Sequence, residues 1–167
     1  MGPAELPSFD ADTVARFLRR SYHAVDGLWF MLEEESRGFD HALELDARVW
    51  AVVAKIQARE ARELTGCAGH APEELARCFS LKLTADGHRF AVALGPSGVR
   101  FRIDQCPWLE LLRKSNREHL AARVSQAICP TEGRAWCAEF GNRYQFEMAA
   151  MACAGAPGCE IAFVRRG

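Results

Sequence analysis

The sequence predicts an α+β fold: an N-terminal antiparallel helical hairpin, and shorter helices packed on one face of an antiparallel sheet of about four strands built from two hairpins. Three observations carry this prediction. Two long stretches with apolar residues three and four apart are separated only by the surroundings of Gly38. Two-residue alternation flanks the turn Gly95-Pro96-Ser97-Gly98, with Phe90, Val92 and Leu94 before it and Val99, Phe101 and Ile103 after it. Alternation returns in Tyr144, Phe146 and Met148, and resumes beyond a Gly/Pro loop in Ile161 and Phe163.

Asp10 or Asp12 is the expected cap of the first helix, whose stripe includes Val14, Phe17, Leu18, Val25, Leu28 and Leu32. Gly38 supplies its left-handed end. Asp40 caps a second helix, where Ala42, Leu45, Val49, Val52, Val53 and Ile56 make the stripe and Gly66 marks the end. So short a join folds the two helices back on each other. Pro72 with Glu73 and Glu74 opens a third helix through Leu75, Phe79 and Leu83 to Gly87. After the first β-hairpin, helices are expected at Trp108–Ser115, about 117–127 and about 131–140. The chain reads as one domain over 1–167, a helical hairpin at about 12–65 followed by a mixed part at about 72–165, with no internal repeat or linker.

The net charge of -1 and scattered basic pairs leave no electrostatic footprint for nucleic acid or an anionic membrane. No apolar run approaches the roughly 18 residues of a membrane span. The opening MGPAELPSF lacks the pattern of a secretory signal, and Leu6 stands where myristoylation needs Ser or Thr. A cytoplasmic location is therefore expected. In that compartment the seven cysteines are thiols, metal ligands or small buried hydrophobes before they are disulfides.

The stretch DGLWFMLEEESRGFDHALELD holds the first candidate site. Glu33, Glu34 and Glu35 lie in the last turn of a helix, where the dipole disfavours anions by roughly 0.3–1 kcal/mol each. Helix stability alone would not choose them. His23, Gly27, Phe30 and Glu34 share one face, and Asp46 and Trp50 share a face one turn apart across the hairpin. Carboxylates, His23, Trp29 and Trp50 thus converge at one end. The competing reading is that the glutamates are solvated or paired with Arg37, Arg48 or another basic side chain and that the tryptophans are core. His88, in the turn before the first strand, is expected to be solvated.

Cysteines make the second candidate. Cys106-Pro107 and Cys129-Pro130 each place a thiol before a proline that opens a helix, where the dipole favours thiolate. With Cys137, Cys153 and Cys159 there are enough sulfurs for zinc, but no C-x2-C pair occurs. The competing reading is buried small hydrophobes. Cys159 is expected to point inward with Ile161 and Phe163, and Cys153 to sit at the loop mouth, both as free thiols. Phosphate-binding loops, G-x-S-x-G elbows, H-E-x-x-H and dinucleotide fingerprints are missing from the sequence.

The motifs G-L-W-F, E-E, G-F-D, A-L-E-L-D, V-W and A-R-E in the helical hairpin, with C-P-W, I-C-P and G-C-E-I-A-F later, resemble an uncharacterised family of small bacterial cytosolic proteins. That family is similar to L-2-amino-thiazoline-4-carboxylic acid hydrolase-like proteins and, more loosely, to 4-vinyl reductase-type small-molecule-binding domains. The resemblance points to Glu33, Glu34, Asp46 and Trp50, and to Cys106, Cys129 and Cys159. It implies a small-molecule-binding protein that hydrolyses a small cyclic amide or amidine. Glu34 or Asp46 would then be general base, with Cys159 or Cys129 as nucleophile or metal ligand. Trp29, Glu33 and Trp50 would bind the ligand, and Cys106, Cys129 and Cys159 would hold zinc, the one cofactor the residues suggest. The alternative is a non-enzymatic ligand-sensing or structural module, with or without zinc. Expected partners are a small molecule and, optionally, a second copy of the chain in a homodimer.

Overall fold

The Asp10 carboxylate accepts the Thr13 amide at 2.6 Å and opens α1 (Ala11–Arg37), in a computed structural model that describes residues 8–167. Residues 1–7, most of the stretch read for a leader, lie outside the described residues. Gly38, at φ +88°, joins α1 directly to α2 (Phe39–Thr65), a backbone state that side chains with a Cβ rarely adopt. Then come α3 (Pro72–Asp86), β1 (Arg89–Gly95), β2 (Gly98–Gln105), α4 (Pro107–Lys114), α5 (Ala121–Glu139), β3 (Tyr144–Ala150) and β4 (Cys159–Arg165). The Glu74 carboxylate accepts the amides of Gly69 (2.8 Å) and Ala71 (3.0 Å) and so caps α3.

The sheet order is β1-β2-β4-β3, every neighbouring pair antiparallel. Both hairpins form, and the fold is the α+β class predicted. Val99 faces Phe163, Phe101 faces Ile161, and Phe146 lies across from Phe163. These residues share the face that meets the helices. There Phe79 of α3 packs 5.0 Å from Phe101 and 4.9 Å from both Trp136 and Phe163. Phe101, Ile103, Ile161 and Phe163 are buried, and Phe146 packs half-buried against them.

Three features depart from the predicted elements. The large aliphatic stripes of the first two helices face outward: Phe17 and Leu28 of α1, and Val52 and Ile56 of α2, are all more than half exposed. Of the expected α2 stripe Ala42 is buried, and the rest of the buried face is Asp46, Trp50, Ala54, Ala58 and Ala61. Small side chains let the α2 backbone approach α3 and α5 closely, and close packing decides which face turns in. Secondly, α5 is one helix with Pro130 inside it, not two helices. Proline removes one backbone donor there, and the Thr131 hydroxyl donates to the Ala127 carbonyl at 2.8 Å across the same turn. Thirdly, Val92 and Leu94 on edge strand β1 are exposed.

Candidate functional site

Helices α1 and α2 stand on one side of a cavity of about 360 Å³; α4, α5 and the β3–β4 loop close the other. Its walls are mostly apolar, with Phe30, Leu109, Ile128 and Met148 from four different elements. The size falls in the range of pockets for small organic ligands.

One end carries carboxyl and aromatic groups. Asp26 on α1 and Asp46 on α2 both line the cavity, beside Trp50, one turn beyond Asp46. Trp108 of α4 meets Trp50 at right angles with ring centres 5.5 Å apart and lies 4.4 Å from His23. Asp46 is 4% exposed, and its Oδ1 has no hydrogen-bond partner among the described residues; the same holds for Nε2 of His23, 9% exposed. Burial pushes the Asp26 carboxyl up to about 6. It pushes Asp46 up to about 7, with the charge of Asp26 adding to the effect, and Trp50 draws both carboxyls back toward ionisation. Burial also lowers the His23 pKa, which favours the neutral ring.

Lys82 sits at the base of the cavity, fully enclosed, 2.6 Å from Glu132 and 3.2 Å from Asp86. Burial alone would lower the ammonium's pKa, but Glu132 and Asp86 together raise it and hold the charge. These three residues were missed from sequence. The signal was available: Lys82 and Asp86 lie on the face of α3 that carries Phe79 and Leu83. His88, expected to be solvated, turns inward. Burial and then the Lys82 charge lower it to about 3.

The cavity is also rich in sulfur. Cys106, Cys129, Cys153 and Cys159 line it with Met148 and Met151, and all seven cysteines are free thiols. Cys159 points inward and accepts the Ala152 amide at 3.3 Å. The expected helix-terminal thiolates are not supported. Cys129 lies in the middle of α5, and burial raises its thiol well above the usual range. Cys106 does cap α4, and the amides of Leu109 and Trp108 act in the expected direction, but burial outweighs them and pushes the thiol up to about 11. Burial raises Cys159 as well. Among the described residues no group of three His, Cys, Asp or Glu side chains is arranged to hold a metal ion. The expected zinc set Cys106, Cys129 and Cys159 lines one cavity without forming a ligand cluster.

Of the other predicted site residues, Asp46, Trp50 and Cys159 reach the cavity, while Trp29, Glu33 and Glu34 do not line it. Glu34 pairs with Arg117, tying the end of α1 to the segment before α5. Glu33 lies 3.1 Å from His41 and 3.5 Å from Arg37. Both glutamates thus follow the ion-pair reading. Trp29 is rotated away from the inner face that carries His23, Asp26 and Phe30, and is 37% exposed. No protein-family model, curated protein or solved structure matches this chain.

Proposed function

We propose that the protein binds a small organic molecule in this cavity. The observation that carries the reading is the pair of enclosed polar atoms, Asp46 Oδ1 and His23 Nε2, which have no hydrogen-bond partners among the described residues and lie in a largely apolar space. Buried polar groups are nearly always hydrogen-bonded, and a ligand bearing a polar group would satisfy them. Native mass spectrometry of freshly purified protein tests the proposal. A retained molecule of small-ligand mass, lost on Trp50→Ala, is the expected result; a bare chain that also binds nothing in a small-molecule screen would defeat it.

A second reading, hydrolysis of a small cyclic amide or amidine, is favoured by one observation. Asp46 has a pKa near neutrality, where a general base works best. The raised thiol of Cys159 makes it a poor nucleophile, so water activated by Asp46 is the attacking group in this reading. Turnover of a thiazoline-type amidine that disappears in Asp46→Asn would support it. Tight binding without turnover would leave the ligand-sensing module. No helix of the described residues is long and apolar enough to cross a membrane. The homodimer belongs to the same proposal: the outward stripe of α1 and α2 is the surface a second copy would cover.

A further inference from the structure

We infer that the ligand is a protonated amine carried on an apolar body, an inference that rests on the cavity being the binding site. The cavity's charges favour this class over anions. Its two lining cations are already committed, Lys82 to Glu132 and Asp86, and Arg117 to Glu34. Among the described residues Asp26 and Asp46 form no ion pair with a basic side chain. An anion entering would meet unpaired carboxylates and no free cation. An ammonium would meet two acceptors, and its N–H groups would supply the donor that Asp46 Oδ1 lacks.

The aromatic groups at this end agree. Trp50 and Trp108 form a right-angled corner beside the carboxyls, and the electron-rich faces of indoles attract cations. Phe30, Leu109, Ile128 and Met148 line the remainder, so the charged head must carry an apolar body. A full quaternary ammonium could use the indoles but has no N–H for Asp46, which is why a protonated amine fits better. Burial keeps part of the Asp26–Asp46 pair protonated near pH 7. An arriving ammonium would take the place of that proton, as an opposite charge favours the ionised carboxylate.

Three probes of one skeleton separate the alternatives: phenylbutylammonium, phenylbutanol and phenylbutanoate, titrated by calorimetry into the whole chain. The expected order is ammonium tightest, by at least about tenfold over the alcohol, with the carboxylate weakest. Asp46→Asn and Asp26→Asn should each bring the ammonium's affinity toward that of the alcohol. Glu33→Gln, outside the cavity, should leave it unchanged. If Asp46→Asn fails to fold, the half-buried Asp26 supplies the same readout. Equal binding of ammonium and alcohol, or tighter binding of the carboxylate, overturns the amine inference while the cavity stands as a binding site. Failure of all three to bind overturns the inference together with the proposal it rests on.

Discussion

Two buried charged residues at the cavity behave in opposite ways. Lys82 is compensated by Glu132 and Asp86. Removing one member of such a group leaves uncompensated buried charge and costs roughly 3–5 kcal/mol. Lys82→Met should therefore lower the urea midpoint sharply, and adding Glu132→Gln and Asp86→Asn should recover most of the loss. Asp46 has no such partner, and its carboxyl is raised from 3.8 to about 7. The folded state holds that proton more tightly than the unfolded chain. Its contribution to stability is thus complete below about pH 4 and lost as pH rises through about 7. His23 and His88, lowered by burial, run the other way: their contribution is present above about pH 6.5 and lost as pH falls. Comparing wild type with Asp46→Asn isolates the carboxyl. The variant should gain on wild type by about 2–4 kcal/mol between pH 4 and pH 8, and a constant difference in urea midpoints would remove Asp46 from the buried set. The helical spacing that places Asp46 beside Trp50 was readable in the sequence. The gathering of both with Asp26 and Trp108 around one cavity was not, because these residues come from three separate helices.

Elements whose local signals agreed with their packing were predicted well. The β1–β2 turn, the Gly38 junction and the capped start of α3 are set by residues a few positions apart. Two features set by distant contacts were misread. In α2 the alanines at 54, 58 and 61 face the core because their small size lets neighbouring helices approach, whereas a hydrophobicity pattern favours Val52 and Ile56. In α5, Pro130 suggested a break, but packing keeps the helix whole. Gly133 shows how tight that packing is, since a Cβ there would lie 2.2 Å from Cγ of Phe146 on β3. Alanine is the better helix former by about 1 kcal/mol, yet Gly133→Ala should destabilise the protein by roughly 1–3 kcal/mol through overpacking. A thermal or urea melt decides the sign.

At the scale of the molecule, the described residues leave one face of the helical hairpin uncovered. α1 is 27 residues long, a rod of about 40 Å, and Phe17, Leu18, Val25, Leu28 and Leu32 are exposed along it. Large exposed apolar patches are where interaction sites are commonly found, and the homodimer proposed above would use this one. Two copies meeting through the same stripe would form an isologous interface with a twofold axis. Sedimentation equilibrium should find a dimer at micromolar concentration, and Leu28→Glu should give a folded monomer. A wild-type monomer would end the homodimer proposal. Nothing in the sequence pattern separated this outward stripe from a core one, because burial against a second chain and burial against one's own produce the same periodicity.

The lining of the cavity begins at His23 on α1 and reaches Cys159 on β4, and this has a consequence for biogenesis. A nascent chain emerging from the ribosome can form α1, α2 and their junction early, but the cavity closes only once β4 has paired with β2. A molecule held there stabilises the completed fold by an amount that grows with the logarithm of its concentration. Interactions made that late act on the rate of escape from the native state and leave the rate of reaching it nearly untouched. The occupant would then set the lifetime of the folded chain, and with it the interval before a protease finds an open one.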